Sequence, residues 1–285
     1  MNRVYDGIMG LVVGDALGVP VEFRERDTFH VEGMTGGGTY GLPPGTWSDD
    51  SSMALATLES LGRMRCIDPR DIMDNFVRWY AHNEFTPYHS VFDIGNTTRR
   101  AIGLYMQGVG IENCGGRSER DNGNGSLMRI LPLAFVPHRD CDVAAVSALT
   151  HAHPISTGAC VKYVHIAELL LAGGGPEEAA RLYDGGRDIR KKPRDEVKSG
   201  GYVLDTLDAA LWCFATTSSY RECVLKAVNL GEDTDTTAAV AGGLAGIHYG
   251  SEGVRGVPYE WQACIARREW IKELCEREFF SGAAR

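Results

Sequence analysis

The sequence has no excess of basic residues. Its 285 residues carry 29 Lys and Arg against 38 Asp and Glu, a formal net charge of −9. A surface that tracks phosphates must be basic, so this balance excludes a nucleic-acid scaffold and leaves room for a small anion held by local donors. No uninterrupted apolar run reaches the roughly 18 residues of a membrane helix. Residues 7–21 resemble the apolar region of a signal peptide, but Asp15 sits in their middle and no clean small-residue cleavage site follows. The run reads as a buried helix of the mature protein. The eight cysteines form no CxxC pair and show no close spacing. They read as free thiols of a cytoplasmic, reducing environment, many of them small core residues.

Other signals are missing too. Alternating apolar and polar residues are scarce, 28–31 being the best strand candidate, and there is no repeat or low-complexity linker. No Gly-x-Gly pattern follows a strand in a βαβ unit, which excludes a dinucleotide-binding fold. HExxH, GxSxG and an adjacent His-Asp pair are absent, and no cysteine has the context of a nucleophile.

What is present is a folded composition, 44% hydrophobic and 24% charged, with 35 glycines that punctuate helix-like segments. Glycine clusters fall at 36–38, 115–116, 173–175, 185–186 and 200–201. Between them apolar residues recur at three- and four-residue spacing. Met53, Leu55, Leu58, Leu61 and Met64 form one stripe; Ile72, Phe76, Trp79 and Tyr80 form another, opened by Asp68-Pro69-Arg70-Asp71. Further helices are predicted at 142–150, 157–172, 176–184, 203–215, 221–229, 236–248 and 259–279. The basic stretch 187–198 reads as a solvated loop. The fold class is all-α, and 1–285 is expected to be one domain, because the two most chemical segments lie near opposite ends.

Those segments are Gly45-Thr46-Trp47-Ser48-Asp49-Asp50-Ser51 and Gly231-Glu232-Asp233-Thr234-Asp235-Thr236-Thr237, each opening a predicted helix. Capping explains one short polar side chain at a helix start. Two carboxylates plus hydroxyls at both starts exceed it. Should the fold bring the clusters together, like charges at that distance must hold protons or share a cation. Oxygen donors without His or Cys suit Mg²⁺, Mn²⁺ or Ca²⁺ and not zinc, and a pair of metals is the natural stoichiometry. The helix after the second cluster, Ala238-Ala239-Val240-Ala241-Gly242-Gly243-Leu244-Ala245-Gly246, has almost no side-chain volume. Glycine inside a helix costs about 1 kcal/mol against alanine, so close approach of another helix is expected there.

With these residues the sequence resembles the ADP-ribosylglycohydrolase family. The resemblance runs through Gly14-Asp15-Ala16-Leu17-Gly18 with Val21-Glu22-Phe23, then Trp47-Ser48-Asp49-Asp50-Ser51, then Asp93-Ile94-Gly95-Asn96-Thr97-Thr98-Arg99. It continues through Asn122-Gly123-Asn124-Gly125-Ser126-Leu127-Met128-Arg129, Thr150-His151 with Pro154, and the second acidic cluster. It implies an orthogonally packed helical bundle with a central cleft for two Mg²⁺ or Mn²⁺ ions, held by Ser48, Asp49, Asp50, Asp233, Asp235 and Thr236. Serines replace the family's usual threonines at Ser48 and Ser51. Glu232 replaces a common glycine and is expected to add a fifth acid beside the metals.

The implied reaction is hydrolysis of the N-glycosidic bond in mono-ADP-ribosylated arginine of a protein substrate, releasing ADP-ribose through an oxocarbenium-like transition state. Glu22 is the first candidate for the base and Asp93 the second, or a grip for the guanidinium. Asn122, Gly123, Asn124, Gly125 and Ser126 suit the diphosphate as a nest of backbone donors, His151 a hydrogen bond there, and Tyr202 a stack on adenine. Residues 35–39 are expected to close over the site; His153 and His165 are read as structural. The alternatives are a non-catalytic ADP-ribose-binding relative, an immunity protein that blocks an ADP-ribosylating toxin, and a hydrolase for another linkage such as serine.

Overall fold

The computed structural model describes residues 2–184, 188–277 and 280. The Gly185-Gly186 pair, Arg187 of the basic stretch and residues 278–279 of the last predicted helix lie outside the described residues. The helices are α1 (Arg3–Gly18), α2 (Asp49–Met64), α3 (Pro69–His82), α4 (Asn96–Met106), α5 (Asp140–Ala148) and α6 (Pro154–Leu171). Then come α7 (Pro176–Asp184), α8 (Val203–Ala215), α9 (Tyr220–Val228), α10 (Thr234–Tyr249), α11 (Tyr259–Cys264) and α12 (Arg268–Cys275). Among the described residues there is no strand, only three isolated bridges. The all-α class holds.

The centre is the pair α1 and α10. Glycines let the two backbones touch: a Cβ added at Gly10 would stand 2.3 Å from the carbonyl oxygen of Gly242, and one at Gly14 2.1 Å from that of Ala238. A Cβ at Gly18 would stand 2.3 Å from the Cα of Asp235 itself. The small-residue helix is therefore central because only glycine permits this approach. The Tyr220 hydroxyl donates to Gly10 O at 2.6 Å and the Tyr163 hydroxyl to Val240 O at 2.9 Å, fastening α9 and α6 to the pair. Together with the short turn Val19–Val21, α1 is long and apolar enough by composition to cross a membrane, but 94% of that window is buried against protein. Its apolar surface is the core, as the sequence reading expected.

Two expectations are corrected. Residues 28–31 form no strand and pair with a side chain: Val31 N donates to Asn229 Oδ1 at 2.8 Å, and Asn229 Nδ2 donates to Val31 O at 2.9 Å. The predicted helix at 259–279 breaks into α11 and α12 because Arg267 adopts a left-handed φ of 56°. The sequence also gave no warning of α4. Of the described residues in 187–198, Arg194 holds Asp27 at 2.7 Å and Lys192 holds Asp208 at 2.7 Å, so part of that loop is fastened. All eight cysteines are free.

Candidate active site

The site forms where the first turns of α2 and α10 meet. Ser48 caps α2, its Oγ accepting from Asp50 N at 3.3 Å. A second cap reaches across from α1. Asp15, wholly buried, accepts from Ser48 N at 3.0 Å, from Ser51 N at 3.1 Å and from the Ser51 hydroxyl. Burial raises its carboxyl to about 6 despite these donors. Because Ser48 and Asp15 satisfy the free N–H groups, Asp49 and Asp50 are released from capping. Replacing Asp15 with Ala strands three buried donors, and a loss of about 3 kcal/mol or more is expected in denaturant unfolding. Retention of full stability in Asp15→Ala would contradict the role given to this cross-helix cap.

The two acidic motifs meet across 186 residues of chain through the Thr236 hydroxyl, which donates to Asp50 Oδ2 at 3.3 Å. Asp233 precedes α10 and accepts from Asn124 Nδ2 at 2.8 Å. Asp235 accepts from Thr236 N at 2.9 Å with Oδ1 only. One carboxylate oxygen from each of Glu22, Asp93 and Asp235 lies within 4.8 Å of the others. Glu22 Oε2, Asp50 Oδ1 and Asp235 Oδ2 are buried with no hydrogen-bond partner. Burial, then neighbouring acids, raise Asp49, Asp50 and Asp235 well above the carboxylate range and Glu22 to about 9. Unpartnered acceptors aimed together are an unfavourable arrangement for a protein alone and a ligand set for a hard cation. The donor set therefore fits the divalent metals that the sequence pattern implied.

Glu22, Asp49, Asp50, Asp93 and Asp233 line a cleft of about 460 Å³, and Asp235 is wholly buried beside Glu22 and Asp93. Asp93, whose backbone φ is 54°, stands at its half-buried edge and accepts from the Tyr40 hydroxyl at 2.8 Å. Gly123, Asn124, Gly125, His151 and Gly201 line the cleft as well. Asn124 N donates to Gly201 O at 3.0 Å, so that amide ties the loop to the start of α8.

Several predicted residues occupy other places. Asn122 and Ser126 point into the protein: Asn122 Oδ1 accepts from the Ser156 hydroxyl at 2.9 Å, and the Ser126 hydroxyl meets Cys160 Sγ at 3.4 Å and Ser147 Oγ at 3.0 Å. Their side chains build the loop. Tyr202 is 40% exposed, directly before α8 on the rim beside Gly201. Glu232 is not a fifth acid in the cleft. Its side chain is exposed and turned toward Gly200, and its backbone takes a left-handed φ of 64°, the conformation that favours glycine at this position. Residues 35–39 are not free to close. A Cβ at Gly38 would collide with Pro20 O, and the Thr39 hydroxyl donates to Glu22 O at 2.8 Å, so this loop buttresses the glutamate from behind. His153 caps α6 through Nδ1 and His165 pairs with Asp140 at 2.7 Å. Sequence reasoning missed Phe23, 66% exposed with a φ of 65° on the cleft wall, and Tyr40 behind Asp93. Neither had a sequence signal beyond its neighbour.

The family model described as ADP-ribosylglycohydrolase matches residues 1–284. This chain belongs to the ADP-ribosylglycohydrolase family. A solved relative described as an ADP-ribosylglycohydrolase-related protein complex superimposes with a TM-score of 0.84 at 33% identity, covering 100% of this chain and 98% of its own. Among curated ADP-ribosylglycohydrolase relatives, ADP-ribosylarginine hydrolase Tri1 of Serratia proteamaculans is 34% identical over 98% of this chain and 80% of its own length. ADP-ribosyl-[dinitrogen reductase] glycohydrolase of Rhodospirillum rubrum is 37% identical, covering 91% of this chain and 89% of its own. In this ADP-ribosylglycohydrolase the acidic cluster is thus a candidate metal centre on both chemistry and family.

Proposed function

We propose that this chain hydrolyses the N-glycosidic bond between ribose and the guanidinium of mono-ADP-ribosylated arginine in a protein, releasing ADP-ribose. The observation that carries the reading is the cluster of unpartnered carboxylates at a cleft that a glycine loop also lines. Relatives named for the same linkage support the choice of arginine. Ser48, Asp49, Asp50, Asp233, Asp235 and Thr236 would hold two divalent cations, Mg²⁺ or Mn²⁺. Bound there, the cations supply Lewis acidity toward the hydroxyl and water oxygens at the sugar.

The chain's own groups divide the remaining work. Glu22, buried and free of a partner on Oε2, is placed to take the proton of the attacking water. Glu22, raised to about 9 by burial and then by Asp93, would be left deprotonated and able to act as a base with cations held beside it. Asp93 stands further out, with Oδ1 on Tyr40, and holds the leaving guanidinium through charge-assisted hydrogen bonds. Gly123 and Gly125 leave room for the diphosphate beside His151. Local donors thereby accommodate an anion in an acidic protein.

The test is incubation with mono-ADP-ribosylated arginine and serine peptides, with and without EDTA. Release of ADP-ribose from the arginine peptide, abolished by chelation and by Glu22→Gln in a folded protein, is expected. Release from neither peptide refutes the hydrolase reading. Release from serine alone refutes the linkage. A non-catalytic binder of ADP-ribose or of a toxin would bind its ligand and turn nothing over.

A further inference from the structure

Arg129 is wholly buried behind the cleft, and among the described residues no carboxylate pairs with it. Its guanidinium lies over the Phe76 ring at 4.6 Å and donates through Nη2 to Val146 O at 3.2 Å and to Thr150 Oγ1 at 2.9 Å. Thr150, also wholly buried, places the same Oγ1 2.8 Å from His151 Nδ1. The other ring edge of His151 faces the cleft beside Gly123 and Gly125; a Cβ at Gly123 would stand 3.5 Å from Nε2.

We propose that Arg129 is a positioning residue: acting through Thr150, it fixes His151 as the Nε2–H tautomer and so presents a hydrogen-bond donor to an anionic ligand in the cleft. The inference rests on the proposed function in one respect, that the ligand's diphosphate lies along the glycine loop. The tautomer itself follows from counting protons. A guanidinium only donates, so it occupies a lone pair of the threonine oxygen. Were His151 to carry its proton on Nδ1, it would donate to the same oxygen, and the buried hydroxyl hydrogen would have no acceptor among its partners. With the proton on Nε2 instead, the hydroxyl donates to Nδ1, and the Thr150 hydroxyl and His151 Nδ1 are both satisfied, while Arg129 Nε and Nη1 have no hydrogen-bond partner.

The alternative tautomer would also present a lone pair to phosphate oxygens. The imidazole stays neutral, because burial and then the Arg129 charge hold it down to about 3. Asp121, the acid that opposes this effect, is itself paired with Arg100 at 2.5 Å. The Ser147 hydroxyl donates to His151 O at 3.2 Å and holds the residue in place.

Long-range ¹H–¹⁵N spectra of the imidazoles in the ligand-free protein test the assignment, with the His151 signals identified by their loss in His151→Ala. At neutral pH the expected pattern is protonated Nε2 and unprotonated Nδ1. Thr150→Val is expected to abolish that preference and weaken inhibition by ADP-ribose about tenfold, with kcat changed less than twofold. Thr150→Ser is expected to restore both. A protonated Nδ1 in the unaltered protein overturns the proposal, as does a folded Thr150→Val that keeps the tautomer and the affinity. If Thr150→Val does not fold, the spectrum of the unaltered protein decides alone. Because that spectrum needs no ligand, it fails or succeeds separately from the hydrolysis assay.

Discussion

Asp235→Asn is expected to yield a protein that is inactive and, without metal, more stable than the parent. In the parent, Asp235 Oδ2 is buried without a partner, while Oδ1 accepts from Thr236 N. An asparagine keeps the second contact. It also turns an acceptor that faces the carboxylates of Glu22 and Asp93 into a donor to them. Replacing a buried acid whose ionisation the fold disfavours, and whose Oδ2 is orphaned, by a neutral amide is expected to raise metal-free stability by about 1–3 kcal/mol in denaturant unfolding. Turnover is expected to fall about a thousandfold or more, the several kcal/mol a lost metal contribution represents. A purely structural acid would show the opposite pattern, with stability lost and activity falling only in proportion.

The second large effect is the pH dependence of stabilisation by metal. Burial, then the Asp93 charge, raises Glu22 from 4.5 to about 9, and Asp15 rises to about 6. Below pH 4.5 Glu22 is protonated whether the chain is folded or not, so it makes no difference there. Between 4.5 and 9 the folded protein keeps a proton that the unfolded chain has released, so metal-free stability declines as pH rises through that window. The decline is expected to reach about 2–4 kcal/mol. Divalent cations bind the deprotonated form and displace those protons, so their effect grows with pH. Thermal unfolding with Mn²⁺ or with EDTA is expected to show a larger metal-induced rise in Tm at pH 8.5 than at pH 6. A rise that is equal at both, or larger at pH 6, would contradict the clustered-carboxylate account.

The helices were legible where local chemistry decides them. Ser48 and Asp68 announce the starts of α2 and α3, and the glycines of α10 announced its central place because nothing else allows contact with Gly10 and Gly14. Asp15 carried a signal too, as an acid inside an apolar run, although its function as a cap on another helix depends on packing that no spacing reveals. What failed was tertiary. Glu232 reads as one more acid of its motif, but its backbone conformation turns the side chain outward. The inward anchoring by the Asn122 and Ser126 side chains had no signal in a loop read for its backbone donors. Residues 28–31 read as a strand whose partner proved to be one asparagine side chain. The Arg129 relay was invisible because Arg129 joins the Thr150-His151 pair only by contact, across 21 residues of chain.

The convergence of the two acidic motifs on divalent metal is tested most directly by anomalous diffraction from crystals grown with Mn²⁺. The account predicts anomalous peaks bounded by Asp49 and Asp50 on one side and Asp233 and Asp235 on the other. Fully occupied Mn²⁺ elsewhere on the protein, with no peak between those four carboxylates, would contradict it.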